Sequence, residues 1–280
     1  MYIRVALGAF LLLYPFVSFS SQNIFKNDLD ESFWLFSGNA HQCRLSQEVD
    51  GFGQVALIAD AGEPLVFTLR SNDIDGSLTF QGVQAIPASW DRFEPYGLSP
   101  LGTVTVASLT GEVLIEEAAP ILDALYQGDW VHIGLMQADK PLTVAVSNVR
   151  FPTAVTDFLD CKNQLLPMGY RQVRDSTFYL SPNAATLTAE EWHRIDGIAR
   201  YIRSQNTIKA VLVDGYMNSN ARSSVKLRQS KEIADEVASL FVEKGIAPAL
   251  IEVRAHGGRY PQDEHQPAGK GRVRVRIVQL

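Results

Sequence analysis

Two cysteines and five histidines are the first residues to test for chemistry in this chain of 280 residues. His41, His132, His193, His256 and His265 are scattered without the close spacing of metal ligands, and no second thiol or imidazole lies near Cys161, while Cys43 has only His41 beside it. Nucleophile and phosphate motifs are missing: the chain has no Gly-x-Ser-x-Gly, no His-Glu-x-x-His and no P-loop. Gly51-Phe52-Gly53-Gln54-Val55-Ala56 fits a loose dinucleotide fingerprint, but Glu48 and Asp50 make the preceding stretch polar and a strand-type run follows where a helix has to start. A tight turn into a strand is the simpler reading. Glu116-Glu117 and Glu190-Glu191 are acidic pairs, yet each lies beside a predicted helix N-terminus, where the helix dipole alone accounts for acidic residues. His193 falls on the polar side of its predicted helix. Catalysis has no candidate here, so no enzyme activity, cofactor or metal is expected.

The setting of the cysteines follows from the N-terminus. Arg4 precedes an uncharged apolar run, Val5–Val17, and Ser18-Phe19-Ser20 supplies small residues before Ser21, the pattern of a signal peptide over residues 1–20. The run is short for a spanning helix, which needs about 20 apolar residues. No cysteine follows the cleavage site, so a lipid anchor is not expected, and the mature chain is expected to be exported and soluble. In an exported protein an even pair, Cys43 and Cys161, favours a disulfide over free thiols. The net charge of −6 argues against a dedicated nucleic-acid binder. Its distribution is uneven: residues 1–172 carry 9 basic and 19 acidic side chains, whereas 173–280 carry 16 and 12. Such a sign change suggests two modules with different partners.

The elements that must position these residues also change at that point. From Phe33 to Phe151, strand-length apolar runs (Val55–Ile58, Leu65–Leu69, Leu78–Val83, Val104–Leu109, Trp130–Leu135, Leu142–Val149) alternate with turn residues such as Asp75-Gly76 and Thr110-Gly111. One helix is predicted over Glu116–Tyr126, stopped by Gly128. This half reads as an all-β sandwich or roll over 21–165, followed by a linker at 166–172. Over 173–280 the rhythm becomes β-α-β-α-β-β, an α+β domain. Ser176–Leu180, Ile208–Val213, Ile251–Ala255 and Arg272–Val278 are its strands. Thr188 and Glu191 have the spacing of a capping box, and Trp192, Ile195, Ile198, Ala199 and Ile202 follow on one face. A second helix is predicted over Lys226–Glu243, with Leu227, Ser230, Ala234, Val237 and Phe241 inward and Gly245 as its stop.

Asp214-Gly215-Tyr216 at a strand end, Leu227-Arg-Gln-Ser-Lys231 on a helix, Ala255-x-Gly257-x-x-x-Pro261 in a loop and a final strand Arg272-Val-Arg-Val-Arg-Ile277 occur in an order that resembles the OmpA-like peptidoglycan-binding family. The resemblance implies recognition of the diaminopimelate of a stem peptide, with an Asp answering its ammonium and an Arg its carboxylate as charge-assisted pairs. Here the Asp position falls on Asn218 and the Arg position on Lys231. Asn keeps an acceptor without the charge, and Lys keeps the charge without the planar fork. Asp214 is the nearest substitute for the missing carboxylate. Arg272 lies on a strand face shared with Arg274 and Arg276, whose plain reading is a solvated face.

In the first half, Trp34, Gln42-Cys43-Arg-Leu45-Ser-Gln-Glu-Val49-Asp-Gly-Phe52-Gly53, Ile86-Pro-Ala-Ser-Trp90 and Phe158-Leu-Asp160-Cys161 look like the MotY family of the sodium-driven polar flagellar motor. That resemblance implies a periplasmic protein with a comparable cysteine pair. Its β-rich domain is expected to join a MotX-like protein and the flagellar basal body in a T ring. It also implies that the ring holds the stator, including its B-subunit, while the OmpA-like domain grips peptidoglycan. The acidic charge and Trp34, Phe52 and Trp90 are expected to serve the protein interface. A general outer-envelope tether unrelated to motility is the alternative, and a cell-wall hydrolase is disfavoured because no nucleophile, metal set or acid/base pair is placed.

Overall fold

The computed structural model describes residues 23–72, 78–87, 94–98, 104–107, 111–181, 187–217, 219–260 and 270–279. The expected signal peptide, Asp75-Gly76, Thr110, Pro182-Asn183, Trp90, Asn218, Pro261 and His265 lie outside these residues.

Buried apolar side chains of the described residues form two clusters, one between Trp34 and Phe158 and one between Val173 and Ile277. The first is enclosed by two sheets. Strands β1 (Asn23–Phe25), β2 (Leu35–Gly38), β3 (Gln42–Val49), β4 (Gly53–Asp60), β5 (Val66–Ser71), β6 (Leu78–Ile86), β7 (Tyr96–Leu98), β8 (Val104–Ala107) and β9 (Glu112–Ile115) lead to helix α1 (Ala119–Gln127). Strands β10 (Trp130–Gln137) and β11 (Lys140–Val146) and helix α2 (Phe151–Asn163) follow. One sheet runs β1-β11-β10-β6-β7 and the other β2-β3-β4-β5-β9-β8.

The Gly51 and Gly53 region is the tight turn the sequence suggests. Gly53 has φ 137°, and a Cβ there would overlap the carbonyl oxygen of Arg70 on the neighbouring strand. The predicted helix at 116–126 starts later, at Ala119 with Pro120 in its first turn, so Glu116-Glu117 precede it and Glu117 takes φ 52°. The helix dipole therefore does not account for that acidic pair. Its end is as predicted, with Gly128 left-handed at φ 103°.

Helix α2 was not expected. Its apolar residues Phe151, Val155 and Phe158 recur at helical spacing and are fully buried. Trp34 and Phe52, expected at a protein interface, are core residues, at 6% and 1% exposure. Trp34 meets Phe151 edge to face at 5.0 Å, and its indole N–H donates to the Ser147 carbonyl at 2.8 Å. Cys43 of β3 and Cys161 of α2 form a disulfide.

Residues 166–172 are held on both sides. The Leu166 backbone amide donates to the Ala40 carbonyl at 2.9 Å, Met168 packs against the second cluster, and the Gln172 side-chain Nε2 donates to the Gly62 carbonyl and to Glu63. A short helix, α3 (Tyr170–Val173), leads into β12 (Asp175–Leu180), α4 (Ala189–Ser204), β13 (Ile208–Tyr216), α5 (Ser223–Glu243), β14 (Ile251–Ala255) and β15 (Gly271–Gln279). The sheet order is β12-β15-β13-β14, with β13 and β14 parallel and the other pairs antiparallel. Thr188 caps α4 in a reciprocal box with Glu191, and Glu190 and Glu191 sit in the first turn. Two residues expected inward are exposed, Trp192 at 41% and Leu227 at 44%. Trp192 lies in the first turn of α4, with the Lys244 ammonium 5.9 Å from its ring.

The disulfide closes a separation of 118 residues, for which the chain-entropy model gives about 4–5 kcal/mol. Replacing Cys43 and Cys161 together by serine is expected to destabilise the N-terminal unfolding transition by about 3–5 kcal/mol in urea and leave the C-terminal transition in place.

Candidate functional site

Alternation along β13 separates two environments. Val211, Val213 and Gly215 face the helices, and a Cβ at Gly215 would overlap the carbonyl oxygen of Ser230 on α5, so this crossing requires glycine. Asp214 and Tyr216 point to the opposite sheet face. There Asp214 is fully buried. Arg254 of β14 donates to both its oxygens at 2.7 and 2.8 Å, Arg276 of β15 adds a bond of 2.8 Å, and His256 Nε2 lies 2.7 Å away. Register produces this arrangement. Asp214 lies directly opposite Arg254 on one side, while Arg276 lies opposite Leu212 and reaches Asp214 diagonally. Arg274, directly opposite Asp214, turns instead to Asp175 of β12.

Burial alone pushes the Asp214 carboxyl upward, but the hydrogen bonds from Arg254, His256 and Arg276 outweigh it and hold the pKa at about 2. The carboxylate is thus already committed inside the protein. Its partners arrange the neighbouring rings. His256 stacks on Tyr216 with centroids 4.8 Å apart, and the Arg272 guanidinium lies 4.5 Å from the Tyr216 ring. The loop after β14 is fastened by backbone bonds as well. The His256 amide donates to the Gly215 carbonyl, the Met217 amide to the Gly257 carbonyl, and the Gly257 amide to the Ser230 hydroxyl, which itself donates to the Leu227 carbonyl.

Between this loop and the start of α5 lies a cleft of about 320 Å³ lined by Ser223, Ser224, Lys226, Leu227, His256, Gly257, Gly258 and Arg259. Helix α5 begins without a side-chain cap and without an acidic residue in its first turn. Its N-terminal amides and partial positive charge therefore stand beside two cationic side chains, Lys226 and Arg259. The cleft is suited to a carboxylate or another small anion.

The residues singled out from the sequence do not form one constellation among the described residues. Asp214 and Arg272 occupy the sheet face away from the helices. Lys231 is exposed on α5, with its ammonium 2.6 Å from Asp235 one turn on. Asn218 is outside the described residues. Sequence reasoning missed Arg254 and His256 as partners of Asp214; the signal available was a carboxylate at the end of an apolar strand, which cannot be buried without cations. Among the described residues, no group of histidine, cysteine and carboxylate side chains is placed to hold a metal ion, and no helix is long and apolar enough to cross a membrane.

This architecture defines a strand-rich domain followed by an α+β domain of the OmpA family, whose family model matches residues 179–276. The MotY N-terminal domain model matches residues 25–167, and the chain belongs to the MotY family. A curated relative, the sodium-type flagellar protein MotY of Vibrio parahaemolyticus serotype O3:K6 (strain RIMD 2210633), is 24% identical over 250 residues, 85% of this chain and 83% of its own. Among solved structures, the peptidoglycan-associated lipoprotein from Burkholderia pseudomallei is 18% identical over 36% of this chain and 89% of its own, with a TM-score of 0.33. The OmpA-like domain of FopA1 from Francisella tularensis subsp. tularensis SCHU S4 is 18% identical over 38% of this chain and 78% of its own, with a TM-score of 0.29.

Neutralising Asp214 leaves two arginines without their shared anion, and because their side chains are 34% and 39% exposed, solvent screens part of that loss. The depressed pKa sets the pH window. The stabilisation is complete above the ordinary carboxylate value and is lost as pH falls through about 2, an amount of about 2–3 kcal/mol. Asp214→Asn is expected to lower C-terminal stability at pH 7 and to flatten its dependence on pH between about 4 and 2, measured by urea unfolding across that range.

Proposed function

We propose that this protein is a periplasmic structural component of the flagellar motor that acts without catalysis. Residues 1–20 direct export and are removed. Residues 21–165 join a MotX-like protein and the basal body in a T ring, and residues 173–280 bind peptidoglycan, so that the ring holds stator units through their B-subunit. Family membership with a flagellar relative supports the motor assignment. The observation that carries the cell-wall assignment is the cationic cleft at the start of α5.

In this reading the diaminopimelate carboxylate enters the cleft toward the α5 amides, Lys226 and Arg259, and Lys231 extends the positive field along the helix. Asn218 accepts from the ammonium. With a neutral acceptor in place of an anion, a single domain binds weakly, and many copies in one ring supply the remaining affinity through avidity. Protein partners engage the acidic N-terminal half through surfaces other than Trp34 and Phe52, which are buried.

Purified full chain is expected to co-sediment with sacculi, more strongly for Asn218→Asp and less for Lys231→Ala or Lys226→Ala. Failure of the unsubstituted protein to co-sediment refutes the cell-wall assignment. Deleting the gene is expected to abolish swimming while filaments remain. Normal swimming with a fragile envelope would instead favour a general outer-envelope tether.

A further inference from the structure

The aromatic side chains beside the cleft form a contact group with one exposed member, Tyr260. Tyr216 is covered on both faces, by the His256 ring at 4.8 Å and by the Arg272 guanidinium at 4.5 Å. Tyr260 stands 5.8 Å from Tyr216 and 5.5 Å from His256, at 76° and 74° to their planes. A ring nearly equidistant from two stacked rings and perpendicular to both lies beside the stack. Both contacts are T-shaped. Tyr260 is 55% exposed, so more than half of its surface is open to solvent. Its neighbour His256 is held in place by a bond to buried Asp214 and by its own amide on the Gly215 carbonyl.

We infer that Tyr260 is a sugar platform that carries a pyranose ring of the glycan strand whose stem peptide occupies the adjoining cleft. The inference rests on the peptidoglycan reading above and extends it from peptide to carbohydrate. A pyranose presents one face of axial C–H groups, which packs on an aromatic ring, and equatorial hydroxyls that need polar partners around the rim. Tyr260 supplies the flat apolar face, and its neighbour Arg259, which also lines the cleft, supplies donors at the edge. Because the ring is fixed by its aromatic neighbours before binding, little side-chain freedom is lost when the sugar lands.

Two probes separate peptide from sugar: the free diaminopimelate-containing tetrapeptide, and the same tetrapeptide joined to the N-acetylglucosamine–N-acetylmuramic acid disaccharide. Calorimetric titration of the full chain is expected to show the disaccharide tightening binding by about threefold to tenfold, the range of one aromatic contact. Tyr260→Ala is expected to erase that gain while leaving the affinity for the free tetrapeptide unchanged, and Tyr260→Phe to retain it. The inference is overturned if the disaccharide adds nothing for the unsubstituted chain, or if Tyr260→Ala weakens both probes equally. If neither probe binds, the peptidoglycan reading falls with it, whereas binding of the tetrapeptide alone leaves that reading standing and removes only the platform.

Discussion

A buried carboxylate surrounded by cations is the constraint on which the C-terminal half depends. Asp214 is fully buried near the end of a mainly apolar strand, and an isolated charge there would be prohibitive. Arg254 and Arg276 come from the strands on either side, so the ion group is complete only when β14, β13 and β15 are in register. A slip of β13 by one residue would send Asp214 into the helix-facing core and leave Arg254 and Arg276 on the opposite face. The group therefore selects one pairing as much as it stabilises it.

The same group reaches outward to the cleft. His256 is oriented by Asp214, stacks on Tyr216 and begins the loop whose backbone is bonded to the end of β13 and to Ser230. The close crossing at Gly215 sets the height of α5 above the sheet, and with it the position of the uncapped helix start. One wall of the cleft is thus fixed by a buried charge and the other by a missing side chain. The result is a site whose shape exists before any ligand arrives.

The N-terminal half uses buried polar bonds in a comparable way. Ser147, just past β11, receives the Trp34 indole and the Gln47 side chain and donates its own amide to Gln47. These bonds tie one sheet to the other at a point where apolar contact alone would allow sliding. The disulfide then fastens α2 to β3. Where the two halves meet, His41 contacts Ser204 and Gln205 at the end of α4, and Arg171 approaches Glu63. The seam adds these polar contacts to a ring contact of His41 on Tyr201, so it is more polar than either core.

The local features were legible in the amino-acid sequence because they depend on neighbours along the chain. The Thr188–Glu191 cap, the stop at Gly128, the strand Ile251–Ala255 and the alternation of Arg272, Arg274 and Arg276 with valines all follow from spacing and residue type. Strand β3 was harder to read, because Gln47 is buried among apolar residues through bonds to a residue 100 positions away. Helix α2 carried helical spacing, but it comes directly after two successive strands, β10 and β11. The candidate site divides along the same line. Its residue types were visible, whereas the burial of Asp214 and the exposure of Lys231 and Tyr260 were not. Asp214 meets its partners across separations of 40, 42 and 62 residues, and only strand register and the choice of sheet face bring such distant side chains together.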